Sequence, residues 1–181
     1  MNLANKLTLF RIFLVPFFMV FLLTNISYGT YIASAIFVIA SITDTLDGHI
    51  ARSRKLVTNF GKFMDPLADK LLVTSALISL TNLGVVSAWI VMIIIAREFA
   101  ITGLRVLAAS EGITIAASKW GKIKTITQMI AITSLLLKNY PFNLLGIPFD
   151  TITLTLAVIF TIISGIDYIY KNINVFDLND I

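Results

Sequence analysis

The stretch that decides how this chain folds runs Asp44-Thr-Leu-Asp47-Gly48-His-Ile-Ala51-Arg52, then eight further residues, then Gly61-Lys-Phe-Met-Asp65-Pro-Leu-Ala-Asp69. Strongly apolar sequence flanks it on both sides. A charged side chain at a bilayer centre costs about 2.5–3.5 kcal/mol on insertion scales, so four carboxylates kept together beside such runs call for an offsetting cation. Asp44 and Asp47 are three residues apart and Asp65 and Asp69 four apart. Those spacings put each pair on one helix face, and two facing helices would converge four oxygen donors suited to a hard divalent ion. The alternative is boundary carboxylates that cap helices or face water, with glycines that only ease packing. It leaves the joint register of four Asp, two Gly, one Ala and one Arg unexplained.

Working outward, the 181 residues are 57% hydrophobic and only 13% charged, with a mean hydropathy of +0.91. That is too apolar for an ordinary soluble domain. Apolar runs fall at residues 7–24, 30–52, 61–81, 85–109, 122–138 and 150–170, each near the ~20 residues a helix needs to cross the hydrocarbon core. The expectation is an all-α integral membrane protein with six transmembrane helices, organised as a single domain over residues 1–181. Polar breaks at 25–30, 52–62, 81–84, 110–121 and 139–150 separate the runs. The first run is longer than a signal-peptide core and ends Thr24-Asn-Ile-Ser-Tyr-Gly, with no small-x-small cleavage site, so it is expected to remain in the mature protein. The absence of cysteine excludes disulfides, thiolate nucleophiles and thiolate metal sites.

Orientation follows from the basic residues. If the chain starts inside, Lys6, Arg11, the cluster Arg52, Arg54, Lys55, Lys62 and Lys70, then Arg97, Arg105, Lys119, Lys122, Lys124 and Lys171 all lie on or toward the cytoplasm. Lys138 alone falls outside. Both termini and the carboxylate cluster are therefore expected on the cytoplasmic side of the cell membrane, in a multi-pass arrangement. The net charge of +4 and pI near 9.4 then reflect a face beside anionic lipid rather than polymeric nucleic acid. At 1.5 Å rise per residue the carboxylates lie within roughly 12 Å of the boundary, so the pocket opens to the cytoplasm. Gly48 and Gly61 let a flat or bulky ligand approach the backbone, and Arg52, one turn beyond Gly48, suits a phosphate.

With these residues in place, the pattern resembles the signature of the CDP-alcohol phosphatidyltransferases, Asp-x2-Asp-Gly-x2-Ala-Arg-x8-Gly-x3-Asp-x3-Asp, at every position. The resemblance implies six membrane helices and a cytoplasm-facing site for a CDP-linked lipid with Mg2+ or Mn2+. It implies that Asp44, Asp47, Asp65 and Asp69 hold the metal, that Asp69 also serves as general base, and that Asp47, Gly48, Arg52 and Gly61 contact the CDP-lipid. Spacing alone does not separate base from ligand. The opening Asn5-Lys-Leu-Thr8-Leu-Phe-Arg11 also resembles the family's N-terminus, where Asn and Thr approach the nucleotide; Ala4 stands where a proline often precedes that Asn. Homodimerisation is a further implication of the resemblance.

A second constellation lies in the fourth run: Arg97-Glu98-Phe-Ala-Ile-Thr102-Gly103-Leu-Arg105. Arg97 is mid-span, where arginine faces a cavity or a partner. Arg97 and Arg105 lie about 80° apart around a helix, close enough to face one pocket, and two guanidinium groups suit a phosphate. Glu98 is expected to find its partner on another element, because adjacent residues do not face each other on a helix. An Arg97 that neutralises one of the aspartates is the alternative. Gly121-Lys122-Ile-Lys124-Thr125 offers further phosphate donors in Lys122 and Lys124, or ordinary flanking charge. Together these stretches resemble the branch of the family whose acceptor is sn-glycerol 3-phosphate and whose donor is CDP-diacylglycerol. Rival acceptors are serine, inositol phosphate or phosphatidylglycerol. A rival of another class, a divalent-cation carrier, needs polar residues running on toward the outer face, and the outer halves of the runs are nearly uncharged. His49, with no His or Cys partner in the sequence, reads as a boundary polar residue.

Overall fold

Each apolar run forms a helix in the computed structural model: α1 Leu3–Leu23, α2 Gly29–Ser53, α3 Asn59–Asn82, α4 Ala88–Ser110, α5 Lys119–Leu136 and α6 Phe149–Lys171, with a 3-10 turn at Phe142–Leu145 between the last two. The structure describes residues 3–24, 26–53, 59–110, 112, 115, 116 and 118–172, and the side chains of all of these except 3, 4, 44–53, 59–63, 65, 66 and 110. Among the described residues there is no strand. The expected runs and the observed helices agree to within a few residues. Pro16 sits inside α1 without ending it, as a membrane helix permits.

α1 packs on α2 and α3, α5 packs on α6, and α6 also packs on α4; α2 and α3 join the two groups through α5 and α4. The shared core takes Phe18 and Leu22 from α1, Phe37 from α2, Leu72 and Leu77 from α3, Ile94 from α4 and Ile132 from α5. Phe18 and Phe37 meet at 6.0 Å between ring centroids. Ala33, Ala40, Ala76, Ala131 and Ala157 are all at most 1% exposed, small residues that let backbones approach where apolar burial cannot drive association. Buried hydroxyls turn back onto their own helix: Ser34 donates to the Thr30 carbonyl at 2.7 Å, Ser75 to Leu72 at 2.8 Å and Thr161 to Ala157 at 2.6 Å. Between α5 and α6 the hydroxyls of Ser134 and Thr153 meet at 3.2 Å.

The outer surface inverts the pattern of a soluble protein. Phe13, Met92, Val106, Ile126 and Ile166 are each more than 60% exposed, and so large an apolar surface requires a lipid solvent. By length and composition α1, over Asn5–Leu23, and α6, over Phe149–Lys171, are long and apolar enough to cross a membrane; Gly29–Thr43, the part of α2 whose side chains are described, is apolar but shorter. The six helices expected from sequence are present, but two, not six, meet that criterion among the described residues. In α3, α4 and α5 the reason is charge: α3 carries Lys62, Asp65, Asp69 and Lys70, α4 carries Arg97, Glu98 and Arg105, and α5 carries Lys119, Lys122 and Lys124.

The α1–α2 hairpin depends on a glycine. A Cβ at Gly29 would lie 2.4 Å from the Phe21 carbonyl oxygen, a backbone atom that cannot rotate away. Gly29→Ala is expected to destabilise the hairpin by about 1–3 kcal/mol, read as a lowered thermal midpoint in detergent. Gly103→Ala, with nothing within 4 Å of the added carbon, is expected to cause no loss. Equal midpoints for wild type and Gly29→Ala would refute the close approach.

Candidate active site

Because successive helices run in alternating directions, the first half of α3, the last half of α4, the start of α5 and the end of α6 share one end of the bundle. A cavity of about 190 Å³ opens there, lined by Asp69 and Lys70 of α3, Arg97, Glu98 and Arg105 of α4, and Tyr168 of α6, with Ser118 and Gly121 at the mouth of α5. A narrower space of about 30 Å³ shares Asp69, Lys70 and Glu98 with it and runs on past Lys124 and Gln128. Extensive packing joins α4 to α6 and α5 to α6, whereas α4 and α5 touch little. The cavity occupies that gap.

One ion pair crosses it. The Lys124 ammonium donates to Glu98 Oε1, and Lys124 is 2% exposed. Glu98 thus finds its partner on another element, as expected. The expectation that it does not meet its neighbour needs correction, since Arg97 Nη1 lies 3.6 Å from the same carboxylate oxygen. Both side chains are long enough to curl toward a common point although their Cβ atoms diverge. Lys124 also lies within electrostatic reach of Asp69, and Glu98 within reach of Lys70.

Arg97 runs between two glycines. A Cβ at Gly165 would lie 3.4 Å from Arg97 Cγ, and one at Gly121 would lie 3.6 Å from Arg97 Nη2. Arg97 thus passes within contact range of both α6 and α5. Ser118 caps α5, accepting from the Gly121 amide at 3.0 Å. The positive end of α5 consequently faces the cavity beside Arg97.

The sequence-selected residues fall as follows. Asp69, Arg97 and Arg105 line the one cavity. Lys124 lies behind it in the ion pair, and Lys122 is exposed and outside its wall. Asn5 and Thr8 are buried on α1, at 6% and 0% exposure, on the stripe that continues to buried Arg11. Asp44, Asp47, Gly48 and Arg52 fall on α2, and Gly61 and Asp65 on α3; their side chains, and the His49 side chain, lie outside the described residues. α2 and α3 pack against each other.

Sequence reasoning passed over Lys70, Ser118, Gln128 and Tyr168. A periodic signal does mark Tyr168. Thr153, Ala157, Thr161, Ser164 and Tyr168 are the buried residues of α6, spaced by three and four in an otherwise branched-aliphatic helix. That stripe identifies the inward face, and Tyr168 stands at its charged end.

Comparison with known proteins agrees with this reading. The family model described as CDP-alcohol phosphatidyltransferase matches residues 1–163. A Bacillus subtilis protein named CDP-diacylglycerol--glycerol-3-phosphate 3-phosphatidyltransferase is 50% identical over 183 residues, covering 94% of this chain and 95% of its own. Proteins of the same name from Haemophilus influenzae and Rickettsia prowazekii are 40% and 39% identical, over 93% and 92% of this chain and 91% and 93% of their own.

The ion pair makes a stability test. Glu98→Gln leaves the Lys124 ammonium buried without its counter-charge, an arrangement that costs roughly 3–5 kcal/mol. Its thermal midpoint in detergent is expected to fall well below that of wild type. Adding Lys124→Met removes the stranded charge and is expected to restore much of the loss. A double variant no more stable than Glu98→Gln alone would contradict this role of the pair.

Proposed function

This chain belongs to the CDP-alcohol phosphatidyltransferase family, and from that premise we propose that it transfers the phosphatidyl group of CDP-diacylglycerol to sn-glycerol 3-phosphate, releasing CMP. The names of relatives that align along nearly the whole chain support the donor and the acceptor. The observation that carries the reading to particular residues is the cavity that Asp69 shares with Arg97 and Arg105. An acceptor phosphate held by two guanidinium groups leaves its glycerol hydroxyl free to lie toward the carboxylate. Asp69 then takes the hydroxyl proton as the oxygen bonds to the phosphorus that carries diacylglycerol, and the bond from that phosphorus to CMP breaks.

Asp44 and Asp47 on α2 with Asp65 and Asp69 on α3 would hold Mg2+ or Mn2+, an all-carboxylate donor set matched to hard divalent ions. Such an ion, when bound, neutralises charge on the pyrophosphate and improves CMP as a leaving group. Asn5, Thr8, Asp47, Gly48, Arg52 and Gly61 form the CDP-lipid contacts of this reading; burial of Asn5 and Thr8 on the inward face of α1 supports it. The protein is a multi-pass component of the cell membrane in this proposal, with all six helices spanning, the start of α1 and the end of α6 cytoplasmic, and a homodimeric assembly. The basic residues gathered at the site's end of the bundle support that orientation.

A CMP-release assay on purified protein, with CDP-diacylglycerol and a panel of glycerol 3-phosphate, serine, inositol phosphate and glycerol, tests the acceptor; turnover is expected with glycerol 3-phosphate. Arg97→Gln or Arg105→Gln is expected to lower kcat/KM for that acceptor about ten- to hundredfold, chiefly through KM, with the KM for CDP-diacylglycerol nearly unchanged. Unchanged acceptor kinetics in both variants would reject the phosphate site.

Catalysis is tested separately. Asp69→Asn is expected to lower kcat by roughly 10²-fold or more while the CDP-lipid still binds. A joint loss of binding and turnover would make Asp69 principally a metal ligand. Chelation is expected to abolish activity and Mg2+ or Mn2+ to restore it, whereas full activity in metal-free buffer would exclude the ion.

A further inference from the structure

Tyr168 is 3% exposed, and its hydroxyl is buried with no hydrogen-bond partner. Its ring packs against Ile101 and Leu104 of α4, which fixes its direction, and the residue lines the same cavity as Arg97, Arg105 and Asp69. The guanidinium groups of Arg105 and Arg97 both act electrostatically on the hydroxyl. Neither can accept a hydrogen bond, because a guanidinium has only donors. Buried polar groups in native proteins are nearly always paired. The phenol proton, which neither guanidinium can take, needs an acceptor, and one compatible with two adjacent cations is an anion.

We propose that the Tyr168 hydroxyl donates a hydrogen bond to the acceptor's phosphate between Arg97 and Arg105, making Tyr168 a specificity residue for acceptors that carry a phosphate monoester. This rests on the acceptor reading above and adds to it a third donor, from α6. Two guanidinium groups supply charge. The phenol supplies direction, through a short donor on a packed ring that the anion meets in one orientation. Serine and glycerol, which carry no phosphate, leave the hydroxyl unpaired, and a site built for a hydrogen bond rejects ligands that lack it.

Tyr168→Phe removes one oxygen and keeps the ring, so the variant is expected to fold with a thermal midpoint in detergent equal to or above wild type. Titration of purified protein with inorganic phosphate is expected to give about tenfold weaker binding in the variant. In the CMP-release assay the KM for glycerol 3-phosphate is expected to rise about tenfold, with kcat and the KM for CDP-diacylglycerol within twofold of wild type. Equal phosphate affinity in wild type and variant overturns the proposal, as does a midpoint lowered by several degrees, which would assign the hydroxyl to the fold. If the wild type turns over an acceptor without phosphate and not glycerol 3-phosphate, the acceptor reading falls, and the phosphate titration still decides the role of Tyr168. If glycerol 3-phosphate is the acceptor and its KM is the same in both proteins, Tyr168 alone is dismissed.

Discussion

The contact between Glu98 and Lys124 spans the gap between α4 and α5. α4 and α5 each pack on α6 but touch little directly, so the space between them persists only while something holds its two walls at a fixed separation. A half-buried carboxylate and a buried ammonium do this well, because the ammonium cannot leave the carboxylate without stranding its charge in an apolar interior. The same carboxylate draws Arg97 to within 3.6 Å and so fixes the cation that faces the cavity. Wall spacing and guanidinium position thus derive from one side chain.

The distribution of polarity along the bundle follows from the same constraint. Toward the far end, the hydroxyls of Ser34, Ser134 and Thr153 bond back to their own helix or pair across α5 and α6, as helices in lipid favour because water is absent. At the site's end the interior holds ionised groups, and these need each other or a ligand. The boundary between the two chemistries falls near Asp69 and Arg97, roughly ten residues into α3 and α4. A substrate that approaches from water therefore meets charge first and lipid-like packing beyond it.

Much of this was legible in the sequence. The six helices follow from runs of apolar residues interrupted by Gly, Pro and charge, a signal that depends on length and not on partners. The clustering of Asp69, Arg97 and Arg105 was legible because arginine within an apolar run has few places to go. Tyr168 and Lys70 escaped because their neighbours in space are remote in sequence, and an aromatic near the end of a membrane helix usually marks the lipid boundary. The approach of Arg97 to its neighbour Glu98 escaped for a different reason. Helix-face geometry is a rule about Cβ positions, whereas the ends of long side chains go where the charge is. The separation of Lys124 from Lys122, one buried in an ion pair and one exposed, depends on how α5 is rotated, and two cationic residues two positions apart give no hint of it.

Burial beside Glu98 sets Arg97 apart from Arg105. Arginine in solution samples many rotamers, and immobilising it on binding sacrifices conformational freedom. Packed against Gly121 and Gly165, with its guanidinium beside Glu98, Arg97 has less of that freedom left to lose in the folded protein. Arg105, exposed at the rim, keeps its freedom, and in the proposed acceptor site it is ordered only on binding the anion. The two cations are thus thermodynamically unequal. In the proposed acceptor site one is the preorganised anchor and the other a mobile arm suited to drawing anions in from solution.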